Sequence, residues 1–483
     1  MKRILMVWGA FLLTMPLCSQ STINADSATA IASKQYADPT FFQKLLIGTN
    51  YRKEWETPVR VPIFRMKQMG FEIIELGGGM QTKSLKLKAK DGREWALRSV
   101  EKDVEPNLPK SLQNTFAERT VQDMISAAHP YAPLTIPTLA NAIGVTAPAP
   151  TVYLVPDDPD FGEHRKLFAN TLCMLEEREP TPDKAETKGT ESLVENLVEE
   201  NDHLVLQQTV LKARLLDMLL GDWDRHADQW RWGTRTFNDV KYYYAIPRDR
   251  DQAYFFANGF LPKVARLVAL RHLVNYKDHM NKIKALNYKA WDFDGLFLNE
   301  LNRQEWETII KQTQNSLTDE VISEAMKKLP PEVYPISGPE LERKMKGRRD
   351  DLLKEGMDYY DFIANSVTVN GTDKGEIFEV SGDSKNLLVT VYNEKDGKKG
   401  RKIYERNFNP SETHIITIYG LGGKDEINFA AGTQNRIRLN IWGGKGEDTY
   451  DIKGNLKTTV YDAKGDDNTF KNKSRTKVKS ITH

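Results

Sequence analysis

The sequence predicts an α+β fold in which a two-lobed core is followed by a small all-β domain. Strand-like alternation with a hairpin turn at Asp91-Gly92 comes first, and helical spacing dominates later. After Val367 the helical spacing stops, and β-branched residues are punctuated by glycine and aspartate. The length of 483 residues exceeds one typical core and agrees with roughly two or three domains.

Changes in composition divide the chain into seven predicted segments. They are 1–20, a signal peptide; 21–75, an N-terminal extension; 76–178, a first lobe; 179–203, an acidic linker; 204–363, a helical second lobe; 364–470, a β-repeat domain resembling a β-coil or solenoid; and 471–483, a basic, disordered tail.

The N-terminus has the layout of a secretory signal. A basic Met1-Lys2-Arg3 precedes an apolar run up to Leu17, and small residues follow at Cys18. A retained anchor helix and lipid attachment at Cys18 are the alternatives. We therefore expect an exported protein, periplasmic or outer-membrane-associated, with no transmembrane span in the mature chain. Cys173 is the only other cysteine, and its apolar surroundings predict a buried, inert thiol.

The secondary structure of both lobes follows from periodicity. The first lobe is predicted to contain strands at 73–76, 84–89, 94–100, 151–155 and 168–176, and helices at 112–128 and 136–143. In the second lobe, a helix over 204–220 precedes a strand pair that turns near Asn238-Asp239. From 296 to 363 the pattern is helical, with breaks at Pro330-Pro331 and around 335–339.

Acidic side chains concentrate at the two ends of that strand pair. Asp224 lies in the loop before the first strand, and Asp249 and Asp251 follow the second. Because a hairpin returns the chain to its starting end, we expect these carboxylates to converge. Converged carboxylates suit magnesium or manganese, and one of them can accept a hydroxyl proton. A structural salt-bridge network is equally compatible, since Arg225, Arg231, Arg248 and Arg250 lie nearby.

The order of the parts favours phosphoryl transfer. A glycine-rich turn containing Gly78 and Gly79 precedes a strand that carries Arg98, and a helix bearing Glu118 follows. Kinases need a backbone cover for phosphates, a cation held by a helix acid, a base and metal-binding acids. Each signal is weak alone, since three glycines usually form only a turn.

Two motifs resemble a known family. Asp224-Arg225-His226 with Gln229 is similar to the Asp-Arg-His-x-x-Asn loop of the spore-coat protein H kinase-like family, and related loops occur in phosphatidylinositol kinases and secretory-pathway kinases. Residues 246–251, followed by Phe255, resemble that family's Pro-Trp-Asp-x-Asp segment. The resemblance covers about 76–360, including a closing helix at Arg348-Arg349, and the whole chain resembles exported Bacteroidetes proteins of undefined activity.

The resemblance implies a kinase-like core that binds ATP with magnesium or manganese. Asp224 would be the catalytic base, Arg225 and His226 would brace its loop, and Asp249 would be the main metal ligand. Asp251 and Gln229 would be further ligands, and Gly78, Gly79, Arg98 and Glu118 would hold the nucleotide. The phosphate acceptor would be a protein or a glycan.

Two departures from the family pattern keep other functions open. Gln229 stands where the family has a metal-binding Asn, and Arg98 stands where kinases have a Lys. An inert kinase-fold module, serving as an envelope adaptor with its own partner, is one alternative. A metal-dependent phosphoesterase is another, although no dinuclear His/Asp series is present. The net charge of +1 gives no electrostatic reason to expect a nucleic-acid partner.

The β-repeat domain contains three similar turns, which end at Asp425, Asp448 and Asp467. Residues 443–450 resemble the calcium-binding nonapeptide repeat, and the flanking copies are degenerate. Calcium binding around Asp448 and a plain β-coil turn both fit this pattern.

Overall fold

The structure is a computed structural model that describes residues 26–77, 82–105, 108–111, 113–181, 185–463 and 467–481. The predicted signal peptide and the predicted phosphate-covering Gly78 and Gly79 lie outside these residues. The described chain is α+β, with two lobes followed by an all-β domain, as the sequence predicts. No helix within the described ranges is long and apolar enough to cross a bilayer.

The N-terminal extension is part of the main core. Its elements are β1 (Ser27–Ala30), α1 (Phe41–Leu46), α2 (Arg52–Glu56) and β2 (Val59–Pro62). Strands β1 and β2 pair antiparallel, and Tyr36, Tyr51 and Trp55 are buried with the helices of the second lobe. The indole of Trp55 donates to the Ala128 carbonyl at 2.9 Å, which ties the extension to the first lobe.

Within the described residues, the first lobe is a five-stranded antiparallel sheet with three α-helices. Its elements are β3 (Phe71–Gly77), β4 (Ser84–Ala89), β5 (Glu94–Ser99), α3 (Phe116–Met124), α4 (Ile136–Ala142), β6 (Thr151–Val155), α5 (Arg165–Phe168) and β7 (Thr171–Glu177). The strand order is β3-β4-β5-β7-β6. Alternation places Leu85, Leu97 and Leu175 on one face, where they pack on Phe64 and Phe161. The predicted strands are confirmed, except that Phe168 ends α5.

Cys173 is buried in this sheet, as predicted. Burial raises the pKa of its thiol far above the ordinary value, which keeps it protonated and inert.

The second lobe begins with a small mixed sheet against a buried helix. The elements are β8 (Lys188–Gly189), α6 (Thr190–Glu199), β9 (His203–Val205), α7 (Gln207–Leu220), β10 (Trp230–Phe237) and β11 (Val240–Pro247). The predicted turn is confirmed, since Asn238 and Asp239 both have positive φ, at 48° and 60°. The hairpin register pairs Trp230 with Pro247, so its two ends meet at one edge of the sheet.

Helices complete this lobe. They are α8 (Phe260–Val268), α9 (Ile283–Leu286), α10 (Trp291–Phe297), α11 (Arg303–Ser316), α12 (Asp319–Met326) and α13 (Tyr334–Ile363). The break predicted around 335–339 is wrong, because α13 begins at Tyr334 and continues through Pro339. An interior proline costs about 3 kcal/mol. Pro339 lies in the second turn of a 30-residue helix whose buried face, including Leu341, Met345 and Leu352, offsets that cost.

The C-terminal domain is a coil of short strands in two sheets. Its strands are β12 (Ser366–Asn370), β13 (Glu376–Gly382), β14 (Leu387–Lys395), β15 (Lys398–Phe408), β16 (Ile415–Tyr419), β17 (Glu426–Phe429), β18 (Arg438–Trp442), β19 (Thr449–Ile452), β20 (Thr458–Ala463), β21 (Thr469–Lys473) and β22 (Thr476–Ile481). One sheet is the parallel series β12-β16-β18-β20-β22, and the other is β15-β14-β13-β17-β19-β21. Strands β13, β14 and β15 form an antiparallel meander within the second sheet. From β16 to β22 successive strands alternate between the two sheets, as the imperfect repeat predicts.

The predicted disordered tail is wrong. Residues 469–473 and 476–481 are the last strands of the two sheets, and β22 pairs in parallel with β20 over six residues. Alternating lysines at 477 and 479 made this segment resemble a solvated tail, but lysines are also usual on edge strands.

The acidic turns of the coils form a ladder of hydrogen bonds. The backbone N–H of Glu376 donates to Asp425 at 2.8 Å, that of Asp425 to Asp448 at 3.0 Å, and that of Asp448 to Asn468 at 2.7 Å. The third position is therefore Asn468 rather than the predicted Asp467. In this ladder the carboxylates of Asp425 and Asp448 accept from backbone donors of the preceding coil.

Candidate functional site

The acidic loop projects from the end of α7. Gly221 closes the helix with φ +67°, a left-handed conformation that glycine adopts at little cost, and its N–H donates to the Met218 carbonyl at 3.2 Å. Arg348 of α13 donates to the carbonyls of Met218 and Leu219 at 2.6 and 2.8 Å. The closing helix thus anchors the C-terminus of α7, from which residues 222–229 lead to β10.

The hairpin brings the acidic loop to the second acidic segment. The Arg248 N–H donates to the Gln229 carbonyl at 2.9 Å, directly beyond the last register pair of β10 and β11. As a result Asp224, Asp249 and Asp251 all line one cavity of about 440 Å³ between the two lobes. That volume is in the range of small-molecule sites.

Asp249 has an open carboxylate. It is exposed to the cavity, and no described residue forms a hydrogen bond or ion pair with its side chain. Its φ is +54°, a left-handed conformation that costs a non-glycine residue on the order of 1 kcal/mol and often marks functional sites. Burial tends to raise its pKa, but Arg98 and Lys102 outweigh that effect, so the pKa lies below its ordinary value.

Lys102 was not predicted from the sequence, and it faces the acids directly. Its ammonium forms an ion pair with Asp251. Burial tends to lower its pKa, but the carboxylates of Asp251 and Asp249 outweigh burial and hold the pKa above its ordinary value. Lys102 lies three residues beyond β5, and no local pattern in the sequence marks it as a site residue.

The partner of Arg98 is Glu176 rather than the predicted Glu118. Arg98 on β5 donates to Glu176 on β7, and Arg248 donates to the same carboxylate at 3.3 Å. Glu118 instead lies in the first turn of α3, where it accepts from the Asn114 N–H. Arg98 pairs in register with Met174, so Glu176 is a diagonal neighbour on the same face of the sheet. The acid that pairs with Arg98 therefore lies on strand β7 rather than on the predicted helix.

Asp224 lines the cavity and lies beside a cation. Lys289 donates to its carboxylate at 2.6 Å and also lies over the Trp223 ring at 4.9 Å. The Asp224 N–H donates to Asp222 at 3.1 Å, which fixes the turn of the loop. His226 also lines the cavity, and its ring lies 3.5 Å from the exposed Asp228 carboxylate.

Arg225 stabilises the acidic loop through hydrogen bonds, one of which engages the side chain of Gln229. Its guanidinium donates to the Gln229 side-chain carbonyl at 2.5 Å and to the Arg248 carbonyl at 2.6 Å. It also lies over the Trp230 ring at 4.9 Å. The oxygen predicted to bind metal therefore accepts from Arg225 in this structure.

A buried carboxylate beneath the loop supports the site. Asp217 on α7 accepts from Arg214 at 2.9 Å, from Arg225 at 3.2 Å and from Arg250 at 2.7 Å. Arg214 also pairs with Asp294 at 2.8 Å. A salt-bridge network is therefore present beneath the loop, but it is built on Asp217 rather than on the acids at the hairpin ends, and it leaves Asp249 open.

No group of three or more His, Cys, Asp or Glu side chains within the described ranges is arranged as a metal site. Any metal in the cavity would therefore take the rest of its oxygen ligands from a bound substrate or from water, as is usual for magnesium.

Comparisons with known proteins do not assign the chain to a family. No protein-family profile matches the chain, and no curated protein does. Among solved structures, the chain is similar to the crystal structure of the Helicobacter pylori proinflammatory kinase CtkA, at 12% identity and a TM-score of 0.36. The alignment covers 62% of this chain and 99% of that chain. A similarity at this level carries no information on activity or on residue roles.

Proposed function

We propose that the protein is an exported kinase-like phosphotransferase that binds ATP with magnesium or manganese in the cavity between its lobes. The acceptor would be a protein or a glycan. The observation that carries this proposal is the open Asp249 carboxylate in a cavity that Arg98, Lys102, Asp224 and Asp251 also line. Cations and carboxylates at one cleft are the groups that phosphoryl transfer requires.

The acids of the cavity fit a hard divalent cation. Asp249 offers two oxygens that no described residue uses, and Asp251 would be a second ligand after release from Lys102. When bound, the metal would neutralise phosphate charge that the carboxylates would otherwise repel. Gln229 could join the ligands only if Arg225 released its carbonyl.

The basic residues that line the cavity suit the rest of a nucleotide. Lys102, Arg98 and Arg248 place positive charge in the cavity, where phosphate oxygens would accept their hydrogen bonds. Val100 and Met174 supply apolar surface beside these cations, which a flat base can cover.

Asp224 is the candidate proton acceptor. It lies in the acidic loop at the same cavity, and the ion pair with Lys289 keeps its carboxylate oriented. Its role would be to accept the proton of the acceptor hydroxyl as that oxygen attacks the phosphoryl group.

An inert module is the second candidate, and two contacts favour it. Gln229 is engaged by Arg225, and Arg98 is engaged by Glu176. If these contacts persist, the cavity would bind nucleotide weakly or not at all, and the chain would act as an envelope binding protein.

Calorimetric titration with ATP and a phosphate-transfer assay on residues 22–483 separate these candidates. In the Asp249→Ala variant we expect loss of metal-dependent ATP binding, because the main ligand is gone. In the Asp224→Ala variant we expect binding to persist and turnover to fall by about 10²–10⁴, the usual contribution of a general base.

Asp228→Ala is the matched control, since its side chain is in the same loop and 94% exposed. It should change neither measurement. Equal loss of binding in the Asp224 and Asp249 variants would indicate a simple metal cluster. Absence of ATP binding in the wild type with both metals would favour the inert module.

A further inference from the structure

Two helices at one side of the protein expose an apolar face to solvent. Half of the large apolar side chains that are exposed among the described residues lie on α1 or α8 or directly after α8. These residues, which we term the α1–α8 face, are Phe41, Phe42, Leu45, Phe260, Val264, Leu267, Val268 and Leu270. Exposed apolar groups of this density usually mark a surface that binds something.

The face is one surface, because the two helices are joined. The Gly259 N–H, at the start of α8, donates to the Ile47 carbonyl at the end of α1, at 3.2 Å. Next to it, the Thr49 N–H donates to the Asn258 side chain at 2.9 Å. A Cβ on Gly259 would lie 2.2 Å from the Ile47 carbonyl carbon, so the two backbones are in close contact there.

The pattern on α8 is that of a helix with its apolar side turned outward. Phe260, Val264 and Leu267 follow helical spacing of four and then three residues and share one side. Pro262 is buried on the inner side, where Arg266 donates to the Ala257 carbonyl at 2.7 Å. Helices of globular proteins normally bury such an apolar stripe, so this one lacks its complement within the described residues.

The two chain segments that carry the face are basic. No Asp or Glu occurs between Asp38 and Glu54 or between Asp251 and Asp278, although the chain has 67 acids and 68 bases. Lys44, Lys263 and Arg271 are exposed, and no ion pair with another described residue engages them. The two acid-free segments contain the two helices of the face.

We propose that the α1–α8 face docks on the surface of an anionic lipid bilayer. Apolar side chains flanked by unpaired lysines and arginines are the composition that binds the headgroup region, with the rings and aliphatic groups inserted and the cations at the lipid phosphates. A protein partner or a second copy of this chain would be expected to present acids to these cations. The inference does not depend on the proposed function.

Sedimentation of residues 22–483 with phosphatidylcholine vesicles, with and without about 30% phosphatidylglycerol, tests this docking. We expect the wild type to bind the anionic vesicles at least about tenfold more tightly than neutral ones, and to release them as salt increases. The Leu267→Glu/Val268→Glu variant should lose roughly tenfold or more of that affinity, since both side chains are 76% exposed in the face.

A matched double variant, Phe237→Glu/Val478→Glu, removes exposed apolar groups from β10 and β22 and should bind like the wild type. Phe41→Glu/Phe42→Glu, on the other helix, should repeat the loss and guards against misfolding of the first variant. Absence of wild-type binding to both kinds of vesicle would overturn the proposal. So would equal binding by all variants, or a dimer that the α8 variant dissociates without any vesicle binding.

Discussion

Asp217 shows how a single buried side chain can support the acidic loop. It is fully buried, and its two oxygens accept from Arg214, Arg225 and Arg250. Burial tends to raise its pKa, but Arg225 and the other two guanidiniums outweigh it, so the pKa lies below its ordinary value. The carboxylate is therefore charged at neutral pH and balances three buried cations in part.

Asp217→Asn should destabilise the protein by about 3–5 kcal/mol, because it removes a buried charge and leaves three guanidiniums with one fewer counter-ion. Thermal unfolding followed by circular dichroism would measure the loss. Asp228→Asn, on the exposed side of the same loop, should leave the midpoint unchanged. Equal midpoints for the wild type and Asp217→Asn would show that the network contributes little.

Individual site residues were predictable where they are close in the sequence to a turn. Asp224 and Asp249 flank one hairpin, and hairpin geometry alone places them at the same cavity. Glu176 and Lys102 were not predictable, because their contacts to Arg98 and Asp251 span 78 and 149 residues. Such pairs depend on strand order and on the approach of the lobes, which local patterns do not encode.

At the scale of elements, alternation and turn chemistry predicted most strands of the core. The bounds of β4 and β6 agree with the sequence, since Asp91-Gly92 and the alternating leucines fix the period. The final strand β22 was missed because it lies at the edge of its sheet, where few apolar residues are needed. The continuation of α13 through Pro339 was missed because packing overrides local propensity.

The coil domain has an acid whose protonation should affect stability. Burial raises the pKa of Asp425 to about 9, and the nearby charge of Glu376 is the second contribution in the same direction. In the unfolded chain the pKa of an Asp side chain is about 3.9. Between these two pKa values the folded state therefore keeps a proton on Asp425 that the unfolded state releases. The contribution of Asp425 to stability is thus fully present below about pH 4 and declines as pH rises towards 9.

Asp425→Asn should make the fall in stability with rising pH shallower, by up to about 1.4 kcal/mol per pH unit, because the amide cannot ionise. Scanning calorimetry between about pH 5 and 9 would measure it. Asp396→Asn, in an exposed turn of the same domain, is the control. Parallel pH profiles for the wild type and Asp425→Asn would contradict an uncharged Asp425 at neutral pH.

At the scale of the whole molecule, the cavity forms where the two lobes and the N-terminal extension meet. Arg98 and Glu176 come from the sheet of the first lobe, Asp224 and Asp249 from the second lobe, and Trp55 from the extension. The β-coil domain contributes no residue to the cavity lining among the described residues. The candidate site therefore lies in the two lobes and the N-terminal extension.

The most direct test is the ATP affinity of residues 22–483 measured at rising manganese concentration, in the wild type and in Asp249→Ala. If Asp249 holds the metal that the triphosphate needs, manganese should raise the wild-type affinity for ATP, and ATP should raise the affinity for manganese by the same factor. Asp249→Ala should show neither effect. Identical metal dependence in the two proteins, or no ATP binding by the wild type, would contradict the account.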